Sequence, residues 1–295
     1  MAFTRRCLES LVAAGGDIVA LLTLAPEDAA FHGDYVDLGP AAAEHGIPVV
    51  RVRDLGDPAE LQRLRTLAPD LVCVFGWSRL LPPAVLEIPP LGCIGSHPAL
   101  LPEHRGRHPI TWALVEGLSE SGLTFFYLDE GADSGDILWQ RSFAIDPDDD
   151  AASVYRKVED LAADAIREFL PRLADGTAQR VPQDDSRATY WRRRTDADRV
   201  IDWSRPAARI HDLVRGLARP YVGATTLVGG EEIVVWRAAL PTGELTVDAE
   251  VPGTVVSRDR ETMDVRCADS YLRLLEVEPP LPAWVTRGTR LGGDE

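Results

Sequence analysis

Two short stretches carry the residues best suited to moving a proton. His97 ends the run Cys93-Ile94-Gly95-Ser96-His97 and is followed at once by Pro98-Ala99-Leu100-Leu101-Pro102. Thirty-six positions later Asp133 lies within Asp129-Glu130-Gly131-Ala132-Asp133-Ser134-Gly135-Asp136. An imidazole gains and loses a proton near neutral pH, and a carboxylate beside it orients the ring and favours its charged form. Neither residue is diagnostic alone: a lone histidine is more often structural, and an acidic, glycine-rich loop is more often a plain turn. Brought together at neighbouring strand ends, they form an acid–base pair.

The flanking pattern supplies such strand ends. Residues 92–97 form an apolar, β-rich run, as do 17–24, 47–50, 71–75, 123–128 and 137–143. Between them, helical spacing is seen over 5–12, 38–45, 84–86 and 109–116. Another helix follows Asp57, a cap with Pro58 in the first helical position, and a long one covers 150–173. Strands separated by helices imply crossover connections, so the predicted fold class is α/β, a doubly wound and mainly parallel sheet. Ligands then bind at the carboxyl ends of its strands, where His97 and the 129–136 loop fall. The chain opens on a helix, whereas such a domain normally opens on a central strand. This favours a start upstream of Met1, the alternative being a gap in the sheet that another segment fills.

Residues 179–203 are polar and rich in Arg and Asp and read as a linker. Beyond them Ser204 is expected to cap a helix, and short β-runs at 223–228, 231–237, 253–258, 263–266 and 271–276 suggest a small, OB-like barrel. Gly229-Gly230 marks a hairpin. The expected organisation is an α/β catalytic domain over 1–178, a linker over 179–203 and a barrel over 204–295.

Composition narrows the partners. A net charge of −16 repels polyanions and anionic membrane surfaces, and no apolar run approaches the roughly 20 residues that span a bilayer. Four scattered cysteines form no CxxC pair, so no metal site or disulfide framework is expected. With no secretion-type leader visible, a cytoplasmic address is expected. His104 and His108 read as solvated loop residues, and Trp77, Trp112, Trp191, Trp203 and Trp236 as packing residues.

The stretch from Cys93 to Arg107, followed by Asp129 to Asp136, resembles the folate-dependent formyltransferases, which include methionyl-tRNA and amino-sugar formyltransferases. Ile201-Asp202-Trp203, Leu213-Val214-Arg215 and the C-terminal β-runs extend the resemblance over nearly the whole chain. It implies N10-formyltetrahydrofolate as formyl donor and an amine as acceptor, with His97 as general acid/base and Asp133 as the residue that raises its proton affinity. Arg79, Leu80, Leu81, Leu100, Leu101, Pro102, Asp129, Glu130, Gly131, Ala132 and Asp133 would line the folate pocket. Arg107 would meet an anionic part of the acceptor.

One departure stands out. The family's asparagine two residues before the histidine is Gly95 here, and the sequence contains no Asn at all. That side chain donates to the oxyanion, and losing one such donor typically costs about 10²- to 10³-fold in rate. Ser96 points to the other side of the strand, and a water in the vacated space is a second candidate donor. On charge, a small amine such as a nucleotide-linked amino sugar is favoured over tRNA. Residues 25–50 hold Glu27, Asp28, Asp34, Asp37 and Glu44 but no Lys or Arg, and Arg192-Arg193-Arg194 is interleaved with acids. The alternatives are a methionyl-tRNA formyltransferase, a folate-binding protein made weak by Gly95, and a transferase acting on hydroxamate-forming or peptide amines. Oligomeric state is not legible.

Overall fold

Asp57 begins its helix as the sequence predicts: its side chain accepts from Ala59 N–H at 2.7 Å, with Pro58 in the first turn. A computed structural model describes residues 2–25, 36–77, 79–241, 251–260 and 262–292. The chain divides into two units, one made of Met1–Gly106, Gly122–Phe143 and Arg156–Trp191, the other of Arg107–Ser121, Ala144–Tyr155 and Arg192–Glu295.

In the first unit, helices α1 (Ala2–Ala13), α2 (Gly39–Glu44), α3 (Pro58–Leu67) and α4 (Pro83–Leu86) alternate with strands β1 (Leu21–Thr23), β2 (Val49–Arg51), β3 (Val72–Val74) and β4 (Cys93–His97). Then come β5 (Arg105–Gly106), β6 (Glu120–Tyr127), β7 (Ile137–Ala144), most of helix α6 (Ala151–Ala174) and β8 (Tyr190–Trp191). β1 pairs with β2 in parallel, and a separate sheet runs β3-β4-β6-β7. Among the described residues no strand pairing joins these two ladders. β3 and β4 are parallel, but β6 lies antiparallel to β4 with His97 opposite Thr124, so the sheet is mixed. Apolar periodicity reveals that a strand exists but not which way it runs.

β4 and β6 are covered on both faces. From Ser121 to Tyr127 every residue of β6 is buried, and Phe125 sits among Phe75, Trp139 and Phe169 with ring centroids 6.0, 6.2 and 5.1 Å away. Leu64 of α3, Val85 of α4, Leu81 and Cys93 form an adjoining apolar cluster.

The second unit holds α5 (Pro109–Val115), α7 (Ala207–Leu217) and one antiparallel sheet of β9 (Ala224–Val228), β10 (Glu231–Ala239), β11 (Val255–Arg258), β12 (Met263–Arg266) and β13 (Tyr271–Glu278), ordered β11-β12-β13-β10-β9. Gly229 and Gly230 form the predicted two-residue turn, with φ of 57° and 80° and Val228 opposite Glu231. Residues 288–292 then bond to both edges of the sheet: Val255 N–H donates to Thr289 O at 2.8 Å and Gly292 N–H to Leu227 O at 2.9 Å.

Ser204 does not cap the following helix. Its hydroxyl turns back to Asp202 at 2.5 Å, and α7 starts later, where Ala207 N–H donates to the Asp269 carboxylate at 2.9 Å. A cap supplied from 62 residues away leaves no local signal. Among the described residues no helix is long and apolar enough to cross a membrane. Of the acidic residues expected to repel a polyanion, Glu27, Asp28 and Asp34 lie outside the described residues, and Asp37 pairs with Arg51 at 2.9 Å.

Candidate active site

His97 is the last residue of β4 and is 5% exposed. The loop that leaves it is pinned from beneath by Thr124, directly across the ladder. The Thr124 hydroxyl donates to Ala99 O at 2.7 Å, and Gln140 Nε2 donates to Leu101 O at 2.8 Å and to Thr124 Oγ1 at 2.8 Å. The turn after the strand is therefore fixed by its backbone, and the imidazole is aimed by a rigid element.

The acidic loop meets it. Asp133 Oδ2 lies 3.6 Å from His97 Nδ1 and accepts the N–H of Gly106 at 2.8 Å. At 3.6 Å the pair is an electrostatic contact rather than a hydrogen bond, a spacing that commonly tightens when substrate arrives. Asp133 takes the left-handed conformation at φ 57°, uncommon for a residue with a side chain. The loop is braced internally by Asp129, which accepts from Gly131 N–H at 3.0 Å and Ser134 Oγ at 2.8 Å. Gly135 is required by close approach: a Cβ there would stand 1.8 Å from Tyr127 O.

The other nitrogen of His97, Nε2, is 2.7 Å from His104 O. A carbonyl only accepts, so Nε2 carries the hydrogen here and Nδ1 is the nitrogen presented to the carboxylate. His104 is thus no solvated loop residue. Its ring stacks on Trp191 with centroids 4.0 Å apart and its N–H donates to Thr189 Oγ1 at 2.8 Å. Trp191 correspondingly serves this loop rather than a linker.

Residues 183–191, read from sequence as linker, form the far wall. β8 pairs in parallel with β5, and Gly106, at φ 109°, passes so close that a Cβ would meet Trp191 O at 2.3 Å. Arg105 is 2% exposed and fully engaged, bonding Gln183 Oε1 from Nε and Nη2, the Tyr190 hydroxyl at 3.0 Å and Asp185 at 2.7 Å. Burial alone would lower its pKa, but Tyr190 and Asp185 outweigh that and raise it. Gln183 was not expected here: its polar surroundings and long separation from Asp133 gave no periodic or motif signal. Arg105 falls within the Cys93 to Arg107 stretch but was assigned no role.

The residues the resemblance assigned to the folate pocket divide into two groups. Asp129, Glu130, Gly131 and Ala132 are exposed at the loop, Asp133 and Leu100 are half-buried, and Arg79 and Leu80 are exposed. Leu81, Leu101 and Pro102 are buried: Leu81 packs with Leu64, Val85 and Cys93, and Leu101 is 2% exposed. They shape the turns from inside the protein. Arg107 follows Gly106 in the chain and is exposed.

Gly95 lies two residues before His97 and pairs with Phe126. A Cβ built on it would stand 2.6 Å from Leu128 Cδ2. The direction in which a side chain at 95 would start is therefore met by the end of the Leu128 side chain, which would have to shift to admit one. Burial disfavours the thiolate form of the cysteines: desolvation pushes Cys73 up to about 12, Cys93 to about 11 and Cys267 to about 12.

Comparison with known proteins bears on this geometry. Residues 24–170 match the family described as formyl transferase, and residues 194–283 match its C-terminal domain. A methionyl-tRNA formyltransferase of Geobacter metallireducens is 35% identical over 274 residues, covering 92% of this chain and 86% of that one. In fold, the chain is similar to an N-formyltransferase of Helicobacter canadensis solved with folinic acid and dTDP-3-aminofucose (TM-score 0.66, 15% identity, 93% of this chain and 96% of that one). It is also similar in fold to HypX of Aquifex aeolicus solved with tetrahydrofolic acid (TM-score 0.61, 22% identity), of which it spans 40% while 80% of this chain is covered.

Proposed function

Because the chain belongs to the formyl transferase family, we propose that it moves the formyl group of N10-formyltetrahydrofolate to a primary amine, with His97 and Asp133 as the reacting pair. The observation that carries this reading is the 3.6 Å approach of Asp133 Oδ2 to His97 Nδ1 at the end of β4. The donor supplies an activated formyl carbon. As the acceptor nitrogen bonds to that carbon it must lose a proton, and as the donor nitrogen departs it must gain one. His97 Nδ1 serves both steps: with Nε2–H held on His104 O, a proton arriving at Nδ1 faces the Asp133 carboxylate, which offsets the new positive charge. The exposed 129–132 loop and the Leu100 turn are the surfaces we assign to the donor.

For the acceptor we favour a small amine bearing an anionic group, such as a nucleotide-linked amino sugar, with Arg107 as its cationic contact. The net charge of −16 disfavours a polyanion. Moreover, two of the three arginines of the basic run are partly engaged: Arg192 is bonded to Asp198 and lies over Trp112, and Arg194 is half-buried, with desolvation lowering its pKa, whereas Arg193 is exposed. A specific observation favours methionyl-tRNA as a second reading, namely the 35% identity to the Geobacter metallireducens enzyme over nearly the whole chain.

Formyl transfer measured on a panel of amines that includes a nucleotide-linked amino sugar and methionyl-tRNA decides between them. Turnover of the small amine with little salt dependence is expected, whereas turnover of tRNA alone, falling steeply with salt, would replace the favoured acceptor. Within the same assay His97→Ala and Asp133→Ala should each lower transfer about 10³-fold while folate binding persists. Full activity in either variant removes the proposed pair.

A further inference from the structure

We infer that Gln183 is a positioning residue that holds the Asp133 carboxylate to His97. The inference rests on the reacting pair proposed above. Gln183 Nε2 donates to the carbonyls of Asp133 at 2.9 Å and Gly135 at 2.6 Å, so one amide spans the turn that presents the carboxylate. Its Oε1 accepts from Arg105 Nε at 3.2 Å and Nη2 at 2.8 Å. The residue after Arg105, Gly106, donates its N–H to Asp133 Oδ2 at 2.8 Å. A closed circuit results: backbone of Asp133 to Gln183, Gln183 to Arg105, and along one peptide back to the carboxylate of Asp133.

Both ends of that circuit need a group that donates twice and accepts, which a side-chain amide does and a carboxylate or thioether does not. Without the two carbonyl grips, Asp133 at φ 57° is free to relax toward the commoner negative φ, moving its carboxylate off Nδ1. Arg105 has other anchors, Tyr190 and Asp185, and keeps its place when Gln183 changes.

Two variants of the full-length protein separate positioning from bulk stability. Gln183→Glu keeps the acceptor for Arg105 but loses both donors; Gln183→Met loses donors and acceptor without adding charge. Each is expected to lower kcat for formyl transfer about 10²-fold, with KM for N10-formyltetrahydrofolate changed less than about threefold, and to displace the pH profile of kcat/KM. A drop common to both variants is then independent of charge. If His97→Ala is inactive while both Gln183 variants keep parental kcat per folded molecule, whatever their melting temperature, the positioning role is overturned and the reacting pair stands. If His97→Ala keeps parental activity, the pair falls and the inference falls with it.

Discussion

Around His97, Thr124, Gln140 and Gln183 each grip a loop by its backbone, and Arg105 is satisfied on every side. The core of the second unit is ordered differently: Ile210, Val214 and Leu217 of α7 share one apolar cluster with Ile233, Val235, Leu272 and Leu274. Hydrogen bonds are directional but add only about 0.5–1.5 kcal/mol each net, whereas a buried aliphatic side chain contributes about 1.5–3 kcal/mol with little angular demand. The site region is therefore built for placement and the sheet region for stability, and damage to the two should read out differently.

Leu272→Ala sharpens this contrast most. Leu272 is fully buried, and its truncation should cost about 3 kcal/mol of unfolding free energy while formyl transfer per folded molecule is unchanged; denaturant melts with activity in the same samples check it. A parallel loss of specific activity would break the contrast. Next in size is Gly95. Because Leu128 Cδ2 occupies the Cβ direction, Gly95→Asn alone should be no faster than the parent, whereas Gly95→Asn with Leu128→Ala should raise kcat by up to about 10²-fold. A faster single variant would show that Leu128 yields without help.

The smallest effect concerns pH in the second unit. Burial of His211, reinforced by Arg215, lowers its pKa from the usual 6.5 against the pull of Asp212, the Ala238 backbone and Asp148. The unfolded chain then binds more protons, so His211 leaves stability intact above about pH 6.5 and subtracts from it as pH falls toward the depressed folded value. Unfolding free energy measured from about pH 7.5 to about pH 5 should fall less steeply in His211→Gln; an identical slope would contradict the assignment.

His97 at a strand end, the 129–136 loop, the Asp57 cap and the Gly229-Gly230 turn were legible because each is a local pattern: periodicity, a capping residue, two glycines. The 183–191 wall was not. Gln183 reaches Asp133 across 50 residues and Arg105 across 78, and polar composition without periodicity reads as linker whether or not it folds against something. The same reason hid Asp269 behind Ser204 as the start of α7. Gly95 was legible as a departure, but Leu128, whose side chain meets the direction a side chain at 95 would take, follows the end of another strand.

The tail at 288–292 has a use beyond its few bonds. A row of unpaired amides and carbonyls on an outermost strand is a template on which another polypeptide can extend the sheet. By stitching Val255 on one flank and Leu227 on the other, five residues blunt both margins at once. Both outer strands thereby lose part of their open backbone edge without another full strand being added.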